Sequence, residues 1–505
     1  MSTTADKRPP ARRLNPVAPE PIGFHPIGRI WREWKAERRR DAAYPPGDLR
    51  PSPARTMAFA RDPLPILLDS YEHWGPVFTL RMLSVPVVFM IGPEANHFML
   101  VSDASKFSWR DGSMGDLVPL LGDGLLTTDG DYHRRARMMM LPSFHRERIA
   151  RSGEVMIEEA EAAADALTAR VGERFDLYEW TRSLALRVAM RALFGFDPDG
   201  REGSTGHDFE TALKYYSYDY AIQMLRGPGT PFDRLTKASA RLDVLIQREI
   251  EARRARGASE ASNDGDLLGL LLDARDDDGR RLSDREIRDQ AMTLLFAGHD
   301  TTTSTVTFLM YELARHPAEL EALLAEQDAV LGTASGVRRQ PSPAELTGDS
   351  LPQLEMAIEE TLRKYPPAWI GPRRSLERFT FNGIDVPAGI PVNYSSWASH
   401  HLPDVWPEPE AFRPERFSTE ARKAIPKGAY VPFGGGSRTC IGMRFGQMEI
   451  RAIATALLSR MRLESSAGRH PQIRQMPTLT PKGGMPMTIH PRGAAATVNA
   501  PVARD

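Results

Sequence analysis

Apolar residues recur every three or four positions through most of the chain between Asp131 and His316, as in Glu154–Ala169 and Asp233–Arg254, and this period predicts amphipathic helices. Upstream, a helical pattern at Leu64–Trp74 gives way to Pro76–Arg81 and Val85–Ile91. These two runs are rich in β-branched residues and predict a hairpin. Short strands return at Phe379–Phe381 and Ile384–Val386, split by Asn382-Gly383, a pair suited to a tight hairpin turn. Ala258–Gly265 and Gly332–Pro343 are loops of Ser, Gly, Asn and Pro, and the Ala/Pro/Val-rich tail is expected to be disordered. The expected class is mainly α with a small β part. The chain divides into a polar, Pro-rich N-terminal extension (1–45), one body (46–492) and a disordered tail (493–505).

The longest predicted helix opens at Ser283-Asp284-Arg285-Glu286, a capping box, and runs to His316 before Pro317. At about 1.5 Å per residue it spans roughly 50 Å, enough to cross a domain. Its middle, Ala297-Gly298-His299-Asp300-Thr301-Thr302-Thr303-Ser304, is poor helix material. Glycine and successive threonines disfavour a helix interior, and threonine hydroxyls bend the axis by bonding carbonyls one turn back. Such residues among Leu294, Leu295, Phe296 and Phe308 predict a ligand groove.

Composition narrows the chemistry. The 505 residues carry 65 basic and 66 acidic side chains, a balance that offers no global field for nucleic acid. A single cysteine excludes intrachain disulfides, Cys-rich zinc sites and self-contained iron–sulfur clusters. No GxGxxG or GxxxxGK loop announces a nucleotide domain. Residues 1–22 hold no signal-like apolar core, and no window approaches the roughly 18 apolar residues of a membrane span, so a soluble, cytoplasmic protein is expected. The basic segment 30–40 carries Trp31 and Trp34. It suits either an anionic membrane surface or, the expectation here, a solvated helix with both tryptophans packed on the body.

The lone cysteine stands in Phe433-Gly434-Gly435-Gly436-Ser437-Arg438-Thr439-Cys440-Ile441-Gly442. Glycines let the backbone bring amide N–H groups onto one sulfur. A helix predicted over Met443–Met461 would set that sulfur near a positive helix end and lower its pKa. A solitary thiolate of this kind suits an axial metal ligand better than a zinc site. A catalytic thiol is the rival, but no histidine is positioned by the sequence as its base.

On these residues the chain resembles the cytochromes P-450, the haem-thiolate monooxygenases of soluble bacterial type. Phe433, Gly436, Arg438, Cys440 and Gly442 meet the family signature in full, and the resemblance covers roughly residues 50 to 490. It implies a fold with haem between a long central helix and a Cys-ligand loop, and a haem domain over 46–492. It implies haem b (iron protoporphyrin IX) with Cys440 as the iron ligand, tuned by Phe433 and by hydrogen bonds to the sulfur. Asp300 and Thr301 become the acid–alcohol pair that relays protons during oxygen activation, while Ala297 and Gly298 leave room for oxygen and substrate. His133, Arg137, Arg373 and Arg438 would hold the haem carboxylates; Arg373 is preferred to Arg374, and Arg134 and Arg135 are expected on a solvated face. Glu360, Arg363 and Arg416 would form a buried structural network, and His299 is expected to be structural.

The resemblance further implies insertion of one oxygen atom into a lipophilic substrate. Candidate contacts are Met114, Leu117, Val118, Leu120, Tyr215, Tyr216, Tyr218, Tyr220, Ala368, Trp369, Ile370 and the turn Gly484-Met485-Pro486. Fatty acids, terpenoids, steroids and polyketides all fit this description. No flavin or nicotinamide domain follows Cys440, so electrons are expected from a ferredoxin or flavodoxin with its NAD(P)H-dependent reductase, docked on Arg135, Lys427, Arg438 and Arg444. The alternative is a haem protein without oxygenation, such as a gas sensor, a carrier, or a peroxide-using or isomerising member. The intact Asp300-Thr301 pair favours the monooxygenase.

Overall fold

The computed structural model describes residues 26–195, 205–218, 220–256, 266–332, 339–465 and 470–493. The Pro-rich segment 1–22, the loop Ala258–Gly265 and the tail after Gly493 lie outside them. The long helix runs from Asp284 to Arg315, and its start carries the expected box: Ser283 accepts from the Glu286 amide while Glu286 accepts from the Ser283 amide. Its apolar residues, from Ile287 and Leu295 to Phe308 and Leu313, are buried on nearly every side. A helix apolar all round belongs in a core, and here it packs against Leu177–Phe194 and Met443–Leu458. The last of these in turn lies on Arg146–Thr168, in one cluster with Met156, Ala160 and Ala164.

Two boundaries differ from expectation. The helix expected at Glu154 starts earlier, at Arg146 after the turn Leu141–Phe144. The cysteine helix stops at Leu458 rather than Met461, because Met461 opens a strand, Met461–Ser465, whose alternate residues Met461 and Leu463 are buried against Pro486–Pro491.

The β part is small. Val77–Met82 and Val85–Met90 form the expected antiparallel hairpin, within a six-stranded sheet that also takes in Pro391–Tyr394 and Gly371–Ser375. Phe379–Phe381 pairs with Ile384–Val386. Asn382 and Gly383 between them take φ of 47° and 76°, the left-handed pair that a tight hairpin turn requires.

Glu360, on Pro352–Lys364, receives Arg363 through two bonds of 2.7 and 2.8 Å, with Arg416 at 3.4 Å. Arg363 also donates to the carbonyls of His400 and Pro409, so this buried guanidinium ties the helix to the loops that precede the cysteine segment.

At the N-terminus, Pro26–Arg38 is a helix, but not the one expected. Glu33 is buried in an ion pair with Arg374, and Glu37 pairs with Arg81. These acidic residues turn inward because the body offers them guanidinium partners, so the tryptophans are left outside: Trp31 is 63% and Trp34 43% exposed.

Candidate active site

The cysteine loop is shaped by glycine. Gly434 and Gly436 hold φ of 69° and 60°, and a Cβ on Gly436 would fall 2.1 Å from the Leu100 carbonyl oxygen. The Cys440 N–H donates to the Phe433 carbonyl at 2.9 Å and closes the loop. Cys440 is exposed in that it borders an interior cavity of about 1750 Å³, shared with Phe433, Arg438 and Gly442. Its thiol departs from expectation. Burial pushes the pKa up, and the Gly442 N–H and the Arg137 charge only partly pull it back. The helix end beside it does not outweigh the cost of a desolvated thiolate.

The long helix lines the same cavity with Ala297, Gly298, Thr301, Thr302 and Thr305. Thr301 donates to the Ala297 carbonyl at 2.7 Å, and Thr303, Thr305 and Thr307 repeat the bond one turn back each time. Each threonine thereby satisfies its own hydroxyl inside an apolar core. A Cβ on Gly298 would meet nothing within 4 Å, so space is open in front of it.

The alcohol of the expected pair borders the cavity, whereas the acid faces a buried polar cluster on the other side. Asp300 lies 3.3 Å from His299, which reaches Glu210 at 3.4 Å and the Arg182 carbonyl at 3.1 Å. Burial pulls the His299 pKa down, but bonds and charge from Asp300 and Glu210 outweigh it and hold it up at about 9. Burial works to raise Asp300, and His299 and Arg182 reverse it, leaving the carboxyl below its usual range.

A further acid was not read from the sequence. Glu449, fully buried on the cysteine helix, accepts from the Thr302 hydroxyl at 3.0 Å, while its Oε1 has no partner among the described residues. Burial lifts its pKa to about 8, against the Thr302 bond and the His299 charge.

The cationic and imidazole side chains that line the cavity include His133, Arg137, Arg373 and Arg438. Burial, then the charges of Arg438 and Arg137, push His133 down to about 3, so it is neutral. Arg438 is anchored to Asp129 at 2.7 Å and to the Leu125 and Thr128 carbonyls. Arg373 is buried, stacks 3.6 Å from the Trp109 ring centroid and donates to its neighbour Pro372. Among the described residues no carboxylate pairs with it, and burial draws its pKa down to about 10. Its desolvation outweighs the Asp129 charge and the Tyr394 contact, and a buried guanidinium without a carboxylate in contact is costly. An anionic ligand would complete it, and one thiol plus this cation set fits haem with its carboxylates.

The neighbouring arginines sort differently. Arg374 pairs with Glu33, and Arg134 stays exposed beside Asp131. Arg135 is not on a solvated face: it bridges to Asp276 at 2.7 Å and Glu286 at 2.8 Å, which fastens its helix to the start of the long one. Arg135 turns inward to Asp276 and Glu286, and Arg438 to Asp129 and the cavity, which leaves Lys427 and Arg444 as the exposed members of the expected docking face.

Met114, Leu117, Tyr215, Tyr216, Tyr218, Ala368, Trp369 and Ile370 line the cavity as expected. Leu120 is packed away in the core, and Val118 belongs to a short helix outside the lining set. The side chain of Tyr220 lies outside the described residues. The late turn fails as a contact: Met485 is core and its N–H donates to Asp176, and Gln472–Thr478 takes its place at the wall. Trp109, Phe232 and Phe296 also contribute. Only Phe296 carried a sequence signal, through its place in the long helix.

A family model described as cytochrome P450 matches residues 64–487. Cyclooctatin synthase of Streptomyces melanosporofaciens is 34% identical over 92% of this chain and 97% of its own length. Cyclooctat-9-en-7-ol 5-monooxygenase of the same organism is 32% identical over 84% of this chain and 90% of its own. Among solved structures, retinoic acid-bound cyanobacterial CYP120A1 has a TM-score of 0.75 at 28% identity, covering 89% of this chain and 99% of that one.

Proposed function

Because this chain belongs to the cytochrome P450 family of haem-thiolate monooxygenases, we propose that it binds haem b through Cys440 and oxygenates a lipophilic substrate held in the 1750 Å³ cavity. Support comes above all from one arrangement: Cys440, Thr301 and a buried Arg373 without a carboxylate partner border the same cavity. When bound, haem supplies the iron at which dioxygen is activated for insertion into a C–H bond. Cys440 is its sulfur donor, steadied by the Gly442 N–H and the nearby Arg137 charge. Arg137, Arg373 and Arg438 neutralise the haem carboxylates, with neutral His133 as a hydrogen-bond partner.

Thr301 holds a proton at Oγ1 on the cavity wall. Asp300, behind it, exchanges protons with charged His299. Glu360, Arg363 and Arg416 hold the loops leading to the cysteine segment and touch no reactant. Electrons arrive from a ferredoxin or flavodoxin with its NAD(P)H-dependent reductase, with Lys427 and Arg444 available to an acidic carrier.

The apolar part of the lining supports this substrate class. Leu294, Phe296, Phe232, Trp369 and Ile370 offer apolar contact, where each Å² of buried apolar surface contributes about 25 cal/mol and an unpaired ion is penalised. The relatives named for an unsaturated cyclic alcohol and for retinoic acid support a largely apolar ligand with one or two polar groups. The test of the centre is the reduced protein under carbon monoxide. It should show the red-shifted band of thiolate ligation, and Cys440→Ser or Cys440→His should abolish that band. Retention of the band in Cys440→Ser would overturn the ligand assignment.

A further inference from the structure

We propose that Trp109 is a further residue of the haem site: its indole N–H donates to a carboxylate of the bound haem, and its ring face holds Arg373 beside that carboxylate. This role rests on the haem reading. It adds to the site a residue from outside the long helix, the cysteine loop and the helix Gly130–Met140 that carries His133 and Arg137.

Local structure places the ring. Phe107 pairs with Ser375 and Ser108 with Arg374 in an antiparallel ladder, so the next step of the register sets Trp109 beside Arg373. The chain then turns close to that arginine: a Cβ on Gly112 would stand 3.0 Å from the Arg373 Cα. Asp129, just ahead of Gly130–Met140, fixes the turn. Its Oδ1 accepts from the Trp109 N–H at 3.0 Å, and its Oδ2 from the Arg110 N–H at 3.0 Å and the Ser108 hydroxyl at 2.6 Å. The same carboxylate accepts from Arg438 at 2.7 Å. One acid thus ties the tryptophan to the cysteine loop and to the start of the His133 helix.

Two guanidiniums stand over the ring, Arg373 at 3.6 Å and Arg438 at 5.0 Å from its centroid. An aromatic face attracts a cation, most strongly where water is excluded. That attraction accounts for the ring and leaves the N–H unexplained. Among the described residues Nε1 has no acceptor, yet the side chain is only half-buried and Nε1 is not sealed into the core. A tryptophan N–H in such a place ordinarily finds a partner.

The charges beside it say which kind. Arg438 has Asp129 in contact, whereas Arg373 has no carboxylate in contact among the described residues. An anion that completes Arg373 comes to lie beside the indole as well, because guanidinium and ring are already packed face to face. A hydrogen bond to an ionised carboxylate is about twice as strong as one between neutral groups.

The holoenzyme tests this through haem retention, followed as haem transfer to excess apomyoglobin. Trp109→Phe keeps a ring for Arg373 but has no N–H. It should lose haem about tenfold faster than the parent, the effect of one hydrogen bond to a charged group. Trp109→Leu gives up the ring too and should lose haem faster still. Both variants should keep the red-shifted carbon monoxide band, since neither change touches Cys440. The same proteins loaded with haem dimethyl ester, which carries no carboxylate, separate a carboxylate contact from plain packing. With that haem the gap between parent and Trp109→Phe should collapse, as in a double-mutant cycle. Equal transfer of ordinary haem from parent and Trp109→Phe would overturn the indole contact. So would a gap that persists undiminished with the ester. A parent without the carbon monoxide band would overturn the haem reading itself, and this role with it.

Discussion

At neutral pH Glu449 keeps its proton, because a carboxylate buried beneath the long helix has one hydroxyl and no cation in contact. The consequence for stability has a definite sign. Between about 4.5, its ordinary value, and about 8, its value here, the folded protein holds a proton that the unfolded chain has released. Stability therefore falls as pH rises through that window and levels off above it. Glu449→Gln keeps the shape and the Thr302 contact but cannot titrate. Its stability relative to the parent should rise by an amount on the order of a few kcal/mol from the bottom of the window to the top. Urea unfolding at a series of pH values measures this; parallel curves for the two proteins would mean that Glu449 is already ionised. No local pattern marks this residue. A fully buried glutamate looks the same in sequence as one on a solvated helix face, and only the packing of one helix on another separates them.

At the scale of the element, the middle of Asp284–Arg315 holds a polar ladder inside an apolar helix. Four threonines return their hydroxyls to carbonyls one turn back, so the ladder costs little in unsatisfied polar groups. Thr301 differs from Thr303 and Thr307 in bordering the cavity. Thr301→Ala should leave haem bound and the fold intact while electrons are diverted from product to peroxide, since the hydroxyl that holds the proton is gone. Product formed per NAD(P)H consumed is the quantity to follow, and an unchanged yield would remove Thr301 from proton handling. This helix was legible in sequence from its capping box to its stop at Pro317, because caps and periodicity are local. The role of Asp300 was less legible. Adjacent residues on a helix point about 100° apart, so an acid and an alcohol next to each other in sequence need not face the same space.

For the molecule as a whole, the cavity of about 1750 Å³ takes its lining from the hairpin, the N-terminal helices, the long helix and the segment Gln472–Thr478. With haem held as proposed, entry of an apolar ligand should shift the ferric spectrum from low to high spin. A spectral titration with fatty acids, terpenes, steroids and charged metabolites checks this. Lipophilic compounds should produce the shift at low concentration, each gaining roughly 0.8 kcal/mol per buried methylene. Tight shifts from a small, multiply charged metabolite, with none from lipophilic compounds, would contradict the substrate class.

Much was settled by sequence alone: the mainly helical class, the central helix, the hairpins and the identity of the one sulfur. Each rests on signals confined to a few neighbouring residues, such as periodicity, caps, turn glycines and a spaced signature. The fate of each charge was decided only in three dimensions. Arg135 left its solvated face for Asp276 and Glu286, Glu33 and Glu37 turned inward and sent two tryptophans outward, and the Cys440 thiol rose rather than fell in pKa. Charge placement depends on partners far apart in the chain and on how deeply both are taken out of water, and neither distance nor desolvation is written in a local pattern.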